Sequence, residues 1–373
     1  MKNNFIYRLS FLLISLVSCI DPVTPEFKFK EGLVYIEAFA ATSEGNSFVK
    51  ISESAINRNR TSNVFIEGAE VFFINTNTGV VIQLIEEKEV YIPPANFVIS
   101  VGESWELEVK LTDGRHYKSL PETVLEPVAI SKINATYNPE LLFKESLDSY
   151  VPGHSISVSL EDPSGGENYY YWSFRSFESL SVCETCFDGF FRNGACESFP
   201  NNVRHRPFYT YNCDSECWRI RFNENIKVFS DEFTNGSTIN QLPIADVLLF
   251  TKENILVEVQ QFSLSVSAYE YYKTLNDIID NNGGFNAPPP AALIGNLFNA
   301  NNSEEYVLGR FTAASTSSAS VFINRTNINE APLERIETQA ETSPPIPELD
   351  LTYTAPCVES RIRTSIRPQG WIN

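Results

Sequence analysis

The residues of this 373-residue chain whose type and spacing invite chemistry are its cysteines. Five crowd into one stretch, as Cys183-Glu-Thr-Cys186, Cys196 and Cys213-Asp-Ser-Glu-Cys217, and a sixth, Cys357, lies near the C-terminus. The two close-spaced pairs have the separation of zinc knuckles, in which four thiolates enclose Zn2+. The same six residues, an even number, form a disulfide framework if the chain works in an oxidising compartment. If all six pair, one bridge must tie the tail to the cysteine-rich stretch, and the connectivity is otherwise open. A thioredoxin-like use of Cys183-Glu-Thr-Cys186 lacks the surrounding βαβ pattern that such chemistry needs.

The choice between zinc and disulfides rests on compartment, and the N-terminus speaks to it. Lys2 and Arg8 precede the apolar stretch Leu9–Val17, which is about half the length a membrane-crossing helix needs and reads as a cleaved export signal over residues 1–18. The seventh cysteine closes that signal in Leu16-Val17-Ser18-Cys19, which resembles the bacterial lipobox. Cys19 is therefore expected to carry a diacylglycerol and become the mature N-terminus, anchored by its acyl chains. Outside the cytoplasm thiols oxidise, so Cys183, Cys186, Cys196, Cys213, Cys217 and Cys357 are expected in disulfides, and no metal or other cofactor is expected.

Catalytic patterns are not evident. The three histidines, His116, His154 and His205, fall neither in a metalloprotease pattern nor beside a Gly-x-Ser-x-Gly elbow. Acids are plentiful, yet nothing singles out a carboxylate pair of the kind glycoside cleavage uses. Asn282-Gly-Gly-Phe285 follows a helical pattern instead of opening one, unlike a phosphate-binding loop. The aromatic run Tyr169-Tyr-Tyr-Trp-Ser-Phe174 is the remaining binding feature. In a strand, Tyr170, Trp172 and Phe174 share one face and Tyr169 and Tyr171 the other. One set is expected inward, leaving Tyr169 and Tyr171 as candidates to stack on a planar ligand.

These residues must be held by a mainly β chain. Phe (27) and Tyr (16) are abundant. Short β-rich runs recur at 33–39, 48–52, 69–74, 80–85 and 104–111. In the last, Trp105, Leu107, Val109 and Leu111 alternate with Glu106, Glu108 and Lys110. The spacing predicts a sandwich over 31–127, reached by a Pro-containing tether over 19–30 and ending at Pro121–Pro127. A second β-rich domain is expected over 128–323, with strands at 155–160, 169–174, 218–222 and 319–323, an irregular Cys-rich insertion over 175–217, and a tail over 324–373. One amphipathic helix is predicted over 267–282, with Ser267-Ala-Tyr-Glu270 as capping box, Gly283 at its end, and Ala268, Tyr271, Tyr272, Leu275, Ile278 and Ile279 on the buried face.

Charge narrows the partners. Lys and Arg number 28 against 47 Asp and Glu, a net −19, and cleavage after residue 18 removes Lys2 and Arg8 to leave −21. A surface of that sign repels phosphate backbones, so nucleic acid is excluded as an expected partner.

The order of several short segments resembles a family of outer-membrane lipoproteins of Bacteroidota catalogued as domain-of-unknown-function family 4249. They are Gly68-Ala-Glu-Val-Phe-Phe73, Gly102-Glu-Ser-Trp-Glu-Leu107 and Asp113-Gly-Arg-His-Tyr-Lys-Ser119, then Cys217-Trp-Arg-Ile220, Ser267-Ala-Tyr-Glu-Tyr-Tyr272, Gly295-Asn296 and Val307-Leu-Gly-Arg-Phe311. The resemblance implies an immunoglobulin-like first domain, a second β-rich domain, and genes beside TonB-dependent outer-membrane transporters; it carries over no active site. Asp21 and Glu26 look like a thin version of the acidic signal that sends such lipoproteins to the cell surface. The expectation is a non-enzymatic lipoprotein on the exterior of the outer membrane, acting as accessory to a β-barrel, a TonB-dependent transporter. The alternatives are a structural subunit of an outer-membrane assembly or export complex, and an extracellular hydrolase.

Overall fold

The computed structural model describes residues 31–57, 60–180, 216–223, 225–281, 295–333 and 362–372, the single residues 293, 357, 359 and 360, and the backbone of 185–187, 189–192, 195–198 and 207–209. The chain is mainly β, with one α-helix among the described residues. An 11-stranded sheet is the spine. From one edge it runs through Arg363–Thr364, Trp218–Phe222, Tyr169–Ser179, Ile255–Leu264, Leu308–Ile323, Val34–Ala41 and Phe48–Asn57 to the short strands Tyr91–Ile92 and Ile85–Glu86.

Period-2 alternation divides the faces of this sheet. Ile36, Ala38 and Ala40 of the first strand pack with Phe311 and Ala313 against Val71, Phe73, Trp105, Leu107 and Val109 of a six-stranded sheet, forming the N-terminal sandwich. On the same face, farther along, Tyr170, Trp172, Val257, Val259 and Ile323 pack against Ile156, Val158, Leu160 and Val247 of the three-stranded sheet Ile130–Lys144, Ser149–Glu161 and Thr238–Leu248. The opposite face holds Phe39, Ala41, Tyr169, Phe262 and Leu264, which the helix Val266–Asn281 covers with Ala268, Tyr271 and Tyr272.

At 121–127 the chain passes from the six-stranded sheet and the core holding Val124 to the three-stranded sheet and the core holding Val128, while the spine is shared by both sides. Val34–Ala41 pairs in parallel with the first half of Leu308–Ile323, from Tyr35 opposite Leu308 to Ala41 opposite Ala314. The second half of that 16-residue strand pairs antiparallel with Ile255–Leu264. At ~3.3 Å per residue it extends about 50 Å and contributes to both cores. Period and turn residues mark where strands begin and end, but carry no record of which distant strand becomes a neighbour.

The helix has a different cap from the one expected. Ser265, not Ser267, accepts the backbone N–H of Ala268 at 3.2 Å through its hydroxyl, the bond an N-cap makes to the third helical residue. Ser267 is thereby free to turn sideways. The expected buried face holds at Ala268, Tyr271 and Tyr272, while Ile279 is exposed. Gly283 lies outside the described residues.

Candidate functional site

The aromatic run is internal on both faces. Tyr170 and Trp172 lie in the second core, as expected. Tyr171 stacks on Tyr272 with ring centroids 5.0 Å apart and packs beside Phe39 and Phe262. Tyr169 packs against Tyr269 with the rings tilted and their centroids 4.7 Å apart, and its hydroxyl donates to Glu167. The two residues expected to meet a ligand are thus covered by the helix, whose aromatic stripe supplies the stacking partners. Burial pushes the Tyr171 hydroxyl up to about 12.

Of the cysteines, Cys217 and Cys357 are joined by a disulfide spanning 140 residues, with Cα atoms 5.5 Å apart. This is a bridge between insertion and tail, and it leaves Cys217 no thiolate to offer a metal. The tail consequently folds back: Arg363–Thr364 pairs with Trp218 and Arg219, and Trp371 packs edge-on against Trp218 and Phe322. Cys19, Cys183 and Cys213, and the side chains of Cys186 and Cys196, lie outside the described residues.

Next to this bridged strand the structure opens a cleft of about 670 Å³. Trp172, Phe174 and Ile220 come from the spine, Ile244 and Val247 from the three-stranded sheet, and Ile279 from the helix. That volume lies within the range of small-molecule sites, which pair apolar walls with a few fixed polar groups.

The polar groups are built from distant parts of the chain. Glu178 continues the inward face of Tyr170, Trp172 and Phe174 and is 1% exposed. Its Oε1 accepts Arg325 Nη1 at 3.1 Å and its Oε2 accepts Arg221 Nε at 3.0 Å. Arg325 also donates to the carbonyls of Thr251 and Leu248. Burial lowers the Arg325 pKa, against the pull of Glu178. Arg221 also reaches the cleft, its guanidinium carbon 4.2 Å from the centroid of the Phe250 ring. Lys144 and Lys227 add positive charge and Asp246 and Asp280 negative charge; desolvation raises the pKa of Asp246 and Lys227 restrains it. The arrangement can hold an apolar body and orient an electronegative end beside Arg221.

Behind the cleft His154 is 4% exposed, with its ring 5.2 Å from that of Tyr137 and no hydrogen-bond partner for Nδ1 among the described residues. Burial, and then the charge of Arg325, depress its pKa to about 4. His116 instead sits on a hairpin, with Nε2 2.7 Å from Glu108. There Gly114 takes positive φ and Arg115 bonds Asp113 and Glu53, so the Asp113–Ser119 segment is a turn with its cross-strand pairs.

Sequence reasoning missed Glu178, Arg221 and Arg325. The available signal was an acid on the inward face of an aromatic strand, which requires a buried cation somewhere in the fold.

Spine, sandwiched sheets and cleft together define a mainly β protein with a cleft between sheets. No helix among the described residues is long and apolar enough to cross a membrane. The chain matches the family described as "Domain of unknown function (DUF4249)" over residues 20–320, and it belongs to that family. No curated protein and no solved structure matches it.

Proposed function

We propose that this protein is a non-enzymatic, lipid-anchored accessory of an outer-membrane β-barrel, a TonB-dependent transporter, and that it captures a ligand in the cleft and hands it over on the cell exterior. The observation that carries the reading is the cleft itself: about 670 Å³ of space with mixed apolar and polar walls and Arg221 fixed at its side by a buried carboxylate. Its charged groups are tied into ion pairs and stacking contacts, which suits orientation of a ligand better than turnover. Leu16-Val17-Ser18-Cys19 supports the anchor, and the net charge of −19 suits a body projecting into water.

The test is purification of the lipidated protein from outer membranes in several mild detergents. Co-elution with a β-barrel, and release of a Cys19→Ser variant into the soluble fraction, are the expected results. Recovery as a lone monomer in every detergent would overturn the partnership, and a Cys19→Ser variant that stays membrane-bound would overturn the anchor. Deletion should impair growth on one nutrient; a general envelope defect would point to an assembly role instead.

A further inference from the structure

Three of the short segments that lie far apart in the chain, Ser267–Tyr272, Gly295-Asn296 and Val307–Phe311, meet at the other end of the helix. Their meeting depends on glycine. A Cβ on Gly295 would stand 1.8 Å from the Gly309 carbonyl oxygen, and one on Gly309 would stand 1.9 Å from that of Ile36. This stacking of bare backbones brings Asn296 alongside the Leu308–Ile323 strand, where its side chain bonds both backbone groups of Phe311, at 2.9 and 3.0 Å.

Arg310 follows Gly309 and is 3% exposed. Its Nη2 donates to Glu122 and, at 2.9 Å, to Ser267. Glu122 also accepts from Ser265 at 2.8 Å and Asn296 at 3.3 Å, so its oxygens are well supplied with donors. Two donors are left over. Arg310 Nε and the Tyr271 hydroxyl have no hydrogen-bond partner among the described residues, and Tyr271 is 5% exposed. A buried donor without an acceptor loses its hydration with nothing in return. Both residues line a pocket of about 360 Å³ beside the first turn of the helix, with Glu122, Glu270, Thr274 and Leu293 around it.

We infer that this pocket binds a neutral saccharide, one ring of which places hydroxyl oxygens against Arg310 Nε and the Tyr271 hydroxyl. The site is separate from the cleft, and the inference stands whether or not the proposed accessory role does. Two bare donors and the positive end of the helix call for acceptor oxygens. Yet Glu122 already neutralises Arg310, Glu270 stands at the pocket wall, and Glu37 is the register partner of Arg310 on the adjacent strand. A full anion would meet these carboxylates. A sugar hydroxyl accepts from the two donors and gives its own proton to a carboxylate, satisfying both sides. Leu120, Pro121 and Leu293 offer apolar surface to the C–H face of the ring. Burial pushes the Tyr271 hydroxyl up to about 12, which keeps it a neutral donor at physiological pH.

The test is ligand-observed NMR and calorimetry on the full mature chain, with glucose, galactose, mannose and N-acetylglucosamine as neutral probes and glucuronate as the anionic one. At least one neutral sugar should bind, more tightly than glucuronate. Tyr271→Phe should weaken that binding about tenfold or more while leaving the melting temperature unchanged or higher, since the deleted hydroxyl has no hydrogen-bond partner among the described residues. Glu270→Gln, at an exposed position, should weaken it as well and provides the readout if Tyr271→Phe folds poorly. Absence of binding by every neutral sugar, tighter binding of glucuronate, or affinity untouched by both substitutions would each overturn the inference.

Discussion

Replacing His154 by leucine should flatten the acid limb of the stability curve. In the unfolded chain a histidine takes up its proton near pH 6.5, whereas burial and Arg325 hold His154 neutral in the folded protein down to about pH 4. As pH falls through this window the unfolded state binds the proton first, so stability is lost from about 6.5 downward and the loss is complete near 4. The interval of about 2.5 units corresponds to about 3 kcal/mol at 1.36 kcal/mol per unit, of which about 2 kcal/mol is gone by pH 5. Asp162, whose pKa is raised by burial and by the neighbouring Asp231, titrates with the opposite sign. The raw acid limb therefore sums several groups, and the difference between wild type and His154→Leu isolates one. Urea unfolding at pH 7.5, 6, 5 and 4.5 supplies the measurement. Because Nδ1 has no hydrogen-bond partner among the described residues, the variant should approach wild-type stability at pH 7.5 and gain on it by about 2 kcal/mol at pH 5. Parallel curves for the two proteins across this range would refute the reasoning.

Other substitutions probe the elements that hold the cleft and the spine together. Arg325→Leu should cost about 3–5 kcal/mol in chemical denaturation, because it strips Glu178 of one of its two cations, and adding Glu178→Gln should recover part of the loss. Gly309→Ala should prevent assembly of the spine, seen as loss of soluble, cooperatively unfolding protein, since its Cβ has no room against the Ile36 carbonyl and its φ is +101°. Cys217→Ser with Cys357→Ser should lower stability by about 2–5 kcal/mol in chemical denaturation.

What was legible in the chain was local. The Trp105–Leu111 alternation gives a half-buried strand because one face meets the sandwich core and the other meets solvent. The helix is legible for the same reason, since Ala268, Tyr271 and Tyr272 return every three or four residues to one side. The long strands Ile130–Lys144 and Thr238–Leu248 went unread, as did the full length of Leu308–Ile323: polar residues interrupt their alternation, and pairing across the sheet sustains them where propensity does not. Tyr169 and Tyr171 lie under the helix: alternation shows that two faces of a strand differ but not that a helix covers the second. The candidate site was the least legible part. Arg325 and Glu178 are 147 residues apart and Arg310 and Glu122 are 188 apart, so no local pattern joins either pair.

The parallel pairing of Val34–Ala41 with Leu308–Ala314 also sets an order of events. Among the first described residues to be synthesised is a strand at the interior of the spine, flanked by Phe48–Asn57 on one side and by residues made about 270 positions later on the other. Until those arrive, Val34–Ala41 presents an open ladder edge, and the N-terminal sandwich lacks Phe311 and Ala313 from its core. Closure of so distant a contact is slow compared with hairpin formation. The molecule therefore cannot lock its spine while it is still being made, and stays threadable until nearly the whole chain has been delivered to the place where it folds.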